Sequence, residues 1–281
     1  MSDPAPPRFA TDATPDEKRE FEPFVHELIG TAFGVIAQHF LRGTAVMQKH
    51  DATPVTLADR GAEEAMRALI ERRYPRHAIV GEELGRKDGQ RYRWILDPVD
   101  GTRAFITNCF LFGTLIALER DDGEGFRPLL GAIAHPAAGL ALMGTSSGTT
   151  LYARDGSARP ARVRPCERLD AATLLASSHW ECGEQSATPG FGALIQRVRM
   201  YRTWGDCFGY FALATGGADI MVDGALAYWD AAAIVPVVEG AGGRVSSVAG
   251  ADPLRTQPHS LVATAGAIHD DVVRLLAPPP G

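Results

Sequence analysis

Between Trp94 and Thr102 the sequence reads Trp-Ile-Leu-Asp-Pro-Val-Asp-Gly-Thr, an apolar strand that stops abruptly at two carboxylates. Trp94, Ile95 and Leu96 form a short apolar run of strand type. Pro98 biases Asp97 before it towards extended backbone and removes one amide donor. Gly101 opens conformations closed to other residues, so the chain can turn sharply and present Asp100, the Thr102 hydroxyl and free amides to one point. Two aspartates on such a turn converge on hard cations, and Mg²⁺ takes a few carboxylates together with waters and substrate phosphate oxygens. Taken alone, Asp-Pro-x-Asp-Gly is also an ordinary turn with a helix cap, because each of these residues favours turns.

Three further acidic motifs shift that balance. Gly81-Glu82-Glu83 follows the strand-like Ala78-Ile79-Val80, and Thr53-Pro54-Val55-Thr56-Leu57-Ala58-Asp59 precedes a helix predicted over Ala62–Arg73. Trp229-Asp230-Ala231-Ala232 opens a long apolar helical stretch. In this order the four motifs resemble the signature of the inositol monophosphatase superfamily, the Mg²⁺-dependent, lithium-sensitive phosphomonoesterases. The resemblance covers nearly the whole chain after about residue 20. Asp100 to Thr107, Leu111 to Leu118 and Trp204-Gly205-Asp206-Cys207 are most similar to its histidinol-phosphate phosphatase branch. The fold implied is α/β, a layered α-β-α-β-α sandwich of the sugar-phosphatase type, usually a homodimer.

The resemblance also implies roles. Glu82, Asp97 and the Val99 carbonyl would hold one Mg²⁺, and Asp97, Asp100 and Asp230 a second, with Asp97 bridging. Family members can carry a third, weaker ion beside Glu82. Two such ions stabilise the attacking and the departing oxygen of an in-line displacement. The nucleophile would be a water at the first ion, oriented by Thr102 with Asp59 behind it and with Glu82 sharing in the task. Gly101 and Thr102 amides would grip phosphate oxygens if they open a helix. Asp59 and Asp230 each have helix capping as an alternative role.

For the organic part of the substrate, the resemblance points to Asp223, seven residues before Asp230, and to Gly205-Asp206-Cys207. Two acids there suit a protonated amine, as in histidinol phosphate, better than a neutral polyol. The family more commonly has Glu at the Asp223 position, so this chain's shorter side chain alters the reach. Arg103 either recognises substrate or positions its loop. His179 and Glu181 read as a surface turn, with lining of the pocket as the alternative, and Cys207 as a small helix-start residue. The expected reaction is hydrolysis of L-histidinol phosphate, in histidine biosynthesis. An inositol-1-monophosphatase or broad sugar and polyol phosphatase is the alternative enzyme, and a non-catalytic phosphate-ligand binder is the alternative of another class.

Composition narrows the field independently. With 281 residues and 45% hydrophobic content the chain has ample material for a core and is not a disordered protein. Its formal net charge is −6 and its Lys and Arg are scattered, which gives no support to nucleic-acid or anionic-membrane binding. Cys109, Cys166, Cys182 and Cys207 are widely spaced without a Cys-x-x-Cys, so neither a zinc site nor a disulfide framework is suggested. Met1 to Asp16 lacks the apolar core of a signal peptide, and no run approaches transmembrane length, so a cytoplasmic location is expected.

Along the chain, residues 1–20 read as a mobile tail, 21–153 as an N-terminal α+β half with most metal ligands, and 154–281 as a C-terminal α/β half with Asp230 and the substrate residues. Helical spacing predicts a long amphipathic helix over Glu17–Leu41. Strand-length apolar runs with short turns over 112–153 predict an antiparallel sheet. The polar segment Leu84–Gln90 reads as a loop over the site. Later segments alternate strand and helix, including helices over Phe191–Met200, Cys207–Thr215 and Asp230–Gly240, which is α/β organisation.

Overall fold

The computed structural model describes residues 7–42, 46–48, 54–180, 182 and 188–277; Thr53, Glu181, the first six residues of the expected tail and residues 278–281 lie outside them. The first half runs α1 (Pro15–Ile36), β1 (Val46–Gln48), β2 (Pro54–Thr56), α2 (Leu57–Arg73), β3 (Ala78–Gly81), β4 (Gly85–Lys87), β5 (Tyr92–Asp100), α3 (Thr102–Ile106), β6 (Gly113–Asp121), β7 (Phe126–His135), β8 (Leu140–Thr145), β9 (Gly148–Ala153) and β10 (Ala158–Ala161). The second runs β11 (Thr173–Ala176), α4 (Phe191–Arg197), β12 (Met200–Arg202), α5 (Asp206–Ala214), β13 (Ile220–Asp223), α6 (Tyr228–Gly240), β14 (Arg244–Ser246), β15 (Leu261–Thr264) and α7 (His269–Leu276).

Strand periodicity builds the layers, because alternate side chains leave a strand on opposite faces. From β5, Trp94 and Leu96 join Phe24 and Leu28 of α1 and Met66 and Ile70 of α2 in one core, whereas Ile95 joins the core formed with α5 and α6. The same split operates in the second sheet. Leu175 and Met221 face α5 and α6, while Leu174, Ala176, Ile220 and Val222 pack with Phe191 of α4 and Val272 of α7. The eight strands of the first sheet lie in the order β10-β9-β8-β7-β6-β5-β3-β4, and the five of the second in the order β12-β11-β13-β15-β14. The result is the expected α-β-α-β-α sandwich.

The middle layer decides where the two halves meet. α6 is buried at every residue from Ala231 to Gly240, as an element apolar on all sides must be when it lies between two sheets. The sheet admits it closely. A Cβ at Gly131 would lie 2.0 Å from the Ala233 carbonyl oxygen, and one at Gly144 would lie 2.5 Å from the Val237 Cα. These glycines seat α6 on β7 and β8 and so bring its first turn, with Asp230, to the end of β5.

Several boundaries differ from the expectations. Helix α1 starts at Pro15, where Thr14 and Glu17 form a reciprocal capping box, and it ends at Ile36. The stretch before it is also fixed: the Thr11 amide donates to the Pro128 carbonyl, and the Phe9 and Ala10 amides donate to the Glu239 carboxylate. The ordered chain therefore begins well before residue 20. The first sheet continues past Ala153 through β10, paired antiparallel with β9. Within the expected Leu84–Gln90 loop, Gly85–Lys87 forms the edge strand β4, because Gly85 at φ +69° turns the chain straight back along β3. The helix expected over Phe191–Met200 stops at Arg197, and Met200–Arg202 becomes edge strand β12. In the otherwise antiparallel first sheet, β3 and β5 run parallel, so the two strands deliver Glu82 and Asp97 at the same end.

Candidate active site

The end of β5 is irregular where the acids sit. Asp97 pairs with Leu115 and Asp100 with Gly113, a register shift that gives β5 an extra residue and bends it away from β6. The Val99 amide turns back to donate to Asp97 Oδ1 at 3.0 Å. Gly101 then takes a left-handed conformation, φ +78°, which a side chain would oppose, and α3 begins at Thr102. Asp100 is held from the opposite half of the chain by the Cys207 amide, which donates to its Oδ2.

One oxygen from each of Asp97, Asp100 and Asp230 lies within 4.8 Å of the others. Asp97 is buried and the other two are half-buried. The Asp230 carboxylate also accepts the Ala227 amide at 2.9 Å, so the helix-capping role and the convergence are both present in one side chain. Burial, then the charges of Glu82, Asp100 and Asp230, raise the Asp97 pKa well above the ordinary range. Burial and the Asp230 charge push Asp100 up to about 8 against the hydrogen bonds from Cys207. Asp230 rises to about 7, again chiefly through burial, against the Ala227 amide. The charges acting most strongly on these acids are other carboxylates, and this donor set fits a hard divalent cation that would replace the protons.

The three acids line a cavity of about 260 Å³ with Glu82, Val99, Gly101, Thr102, Arg103, Asp206, Ala227 and Trp229. Glu82 lies outside the convergent trio and on the β3 side of Asp97. The Thr102 hydroxyl is 3.2 Å from the Val99 carbonyl oxygen and 3.4 Å from Asp59 Oδ1. Asp59 is almost fully buried, and its other oxygen accepts the Thr56 amide and hydroxyl in a capping box. Cap and site residue are thus one group. Burial raises the Asp59 pKa despite the Thr56 hydrogen bonds.

The four residues expected to face the organic part of a substrate divide between two adjoining cavities. Arg103 and Asp206 line the main cavity, and Asp206 also joins Cys207 and Asp223 in a smaller recess of about 80 Å³, shared with Tyr210 and Ser177. Asp223 is buried and already engaged: its carboxylate accepts the Ser177 amide at 3.2 Å and the Tyr210 hydroxyl at 2.7 Å. Cys207 contributes its amide to Asp100, while its thiol packs beneath Gly113, where a Cβ would lie 2.6 Å from Sγ. Asp223 and Cys207 thus line the recess beside the main cavity while their polar atoms also brace its wall. Asp206 adopts φ +50°, its amide donates to Ser177 Oγ, and its carboxylate lies against Gly101. Trp229, which opens the Asp230 motif, and Ala227, three residues before Asp230, also line the cavity, and neither is among the site residues expected from the motifs.

The sequence profile of the inositol monophosphatase family matches residues 17–277. The chloroplastic bifunctional phosphatase IMPL2 of Arabidopsis thaliana is 36% identical over 234 residues, 82% of this chain and 65% of that protein, so the chain spans about two thirds of that relative's length. A histidinol-phosphatase of Chlorobaculum parvum is 37% identical over 207 residues, 72% of this chain and 75% of the relative. Among solved structures, an inositol monophosphatase from Zymomonas mobilis superposes with a TM-score of 0.79 at 32% identity, over 92% of this chain and 98% of the other.

Proposed function

The chain belongs to the inositol monophosphatase family and is a phosphatase, and from that premise we propose that it hydrolyses L-histidinol phosphate to L-histidinol and phosphate. The observation that carries the phosphatase chemistry is the convergence of Asp97, Asp100 and Asp230 beside Thr102 and Asp59. In this reading Asp97, Asp100 and Asp230 would hold one Mg²⁺, and Glu82, Asp97 and the Val99 carbonyl would hold another. Bound there, the ions supply Lewis-acid stabilisation of the charge developing on the phosphoryl oxygens.

The chain's own groups do the positioning. The Thr102 hydroxyl can donate to Val99 or Asp59 and accept a hydrogen from the attacking water, leaving a water lone pair aimed at phosphorus. Asp59, whose proton affinity is raised by burial, stands behind Thr102 to receive that proton. Gly101, in its left-handed turn, leaves the backbone bare where the phosphate enters. The new P–O bond forms as the ester P–O bond breaks, and the leaving alkoxide takes its proton from solvent.

For substrate choice, the likeness to histidinol-phosphatases and the position of Asp206 at the cavity both favour a cationic organic group. A protonated amine there would gain a charge-assisted hydrogen bond worth roughly 1.5–3 kcal/mol. The superposition on an inositol monophosphatase favours inositol-1-phosphate as the second reading. Phosphate release from the two substrates, with Mg²⁺ and then with chelator, decides between them. The expected result is a preference for histidinol phosphate that vanishes on chelation, and that falls roughly tenfold or more in Asp206→Asn. Faster turnover of inositol phosphate by the native protein would overturn the substrate assignment, and turnover indifferent to chelator would overturn the metal role.

A further inference from the structure

Glu63 lies one helical turn beyond Asp59 on α2 and has no solvent-exposed surface. A buried carboxylate is costly unless it is paired and hydrogen-bonded, and this one is fully committed. It accepts the Glu83 amide at 2.8 Å, the Leu84 amide at 3.1 Å and Arg67 Nε at 2.7 Å. Arg67 in turn donates to the Gly85 carbonyl, so one ion pair grips the turn between β3 and β4 together with the first residue of β4. The first residue of that turn is Glu82. Gly81 shows how tightly the pair is fitted: a Cβ there would lie 2.0 Å from Glu63 Oε1, so only glycine lets the carboxylate reach under the turn.

We propose that Glu63, braced by Arg67, is a positioning residue that holds the Glu82 backbone so that the Glu82 carboxylate meets the Asp97 cluster, and that it thereby sets the affinity of the site for its divalent cation. The proposal rests on the metal role given to Glu82 above. Asp59 and Glu63 leave α2 four residues apart, on neighbouring positions of one face. The first reaches Thr102 and the second fixes the Glu82 turn, so α2 is a common strut for two walls of the cavity that come from separate strands. Groups that orient a ligand in this way commonly contribute 10- to 100-fold in metal affinity, roughly, although they never touch the ion.

The test is Mg²⁺ binding by calorimetry, in the absence of substrate, on the native protein, Glu63→Gln and Arg67→Met. Mg²⁺ activation curves and the melting temperature of the metal-free proteins accompany it. In Glu63→Gln one acceptor becomes an NH₂ group facing amide donors, and the turn loses its hold. The expected result is a dissociation constant raised roughly tenfold or more, a smaller rise in Arg67→Met, and kcat largely recovered at saturating Mg²⁺. Native Mg²⁺ affinity in a folded Glu63→Gln protein overturns the proposal and leaves the metal chemistry standing. Absence of Mg²⁺ binding by the native protein overturns the underlying site reading instead. If Glu63→Gln does not fold, Arg67→Met carries the test: an unchanged affinity in it overturns the brace.

Discussion

Two buried acidic regions of this protein face opposite electrostatic fates. At the outer face of the first sheet, Glu17 accepts hydrogen bonds from the Thr14 amide, the Tyr92 hydroxyl and Arg120. Burial opposes its ionisation, but those donors outweigh burial and hold its pKa down at about 2. At the end of β5, burial acts on Asp100 in the same direction, but the dominant neighbouring charge is another aspartate, and the pKa rises to about 8. The difference is the partner each region builds. One closes its charge balance with the chain's own donors and is structural; the other leaves it open to a cation from outside, which is the signature of a site.

The sharpest way to break this comparison is Asp97→Asn. Removing the carboxylate between Glu82 and Asp230 should lower metal-dependent phosphate release by roughly 10³-fold or more, the equivalent of several kcal/mol of lost electrostatic stabilisation. Retained turnover in a phosphate-release assay would dismiss the centre. Next in size is Glu17→Gln, which should cost on the order of 3 kcal/mol near neutral pH by urea denaturation, from a pKa lowered from 4.5 to about 2. Its sign is set by linkage. A depressed acid stabilises above its unfolded pKa and loses that contribution as pH falls towards the folded value, so the native and variant midpoints should converge between about pH 4.5 and pH 2. A pH-independent gap would mean that packing, not charge, holds Glu17.

Asp100→Asn should do the reverse of Glu17→Gln. In chelator it removes a repelled carboxylate and is expected to raise stability by about 1 kcal/mol, while abolishing stabilisation by Mg²⁺. Thermal melts with and without metal read both effects, and a loss of stability in chelator would count against the repulsion. The smallest effect is expected at Arg244→Ala. The Arg244–Asp270 pair is close, at 2.8 Å, but Asp270 is largely exposed, and such pairs contribute at most about 1 kcal/mol.

Local periodicity made much of the architecture legible. Trp94-Ile95-Leu96 and Leu174-Leu175-Ala176 read as apolar strand segments and the run after Asp230 as an apolar helix, while the packing assigned their faces to layers. The edges were harder. β4, β10 and β12 are three or four residues long and none carries an alternating apolar pattern; they are strands because a neighbouring edge offers backbone partners, which no property of the segment itself declares. The start of the packed chain is hidden for a similar reason: Phe9 and Ala10 donate to Glu239, 229 residues or more away.

By itself the sequence determined the strand that ends in Asp97 and Asp100, the glycine that turns it, the apolar helix behind Asp230 and the family pattern that links them. These follow from side-chain period and backbone freedom, which are local properties. Only the tertiary structure decided that Cys207 serves Asp100 through its amide, that Asp223 is already engaged by Ser177 and Tyr210, and that Glu63 holds the Glu83 and Leu84 amides next to Glu82. The physical reason is that the partner of a buried polar group is whatever donor the packing brings within about 3 Å of it, and that choice is made between segments far apart in the chain.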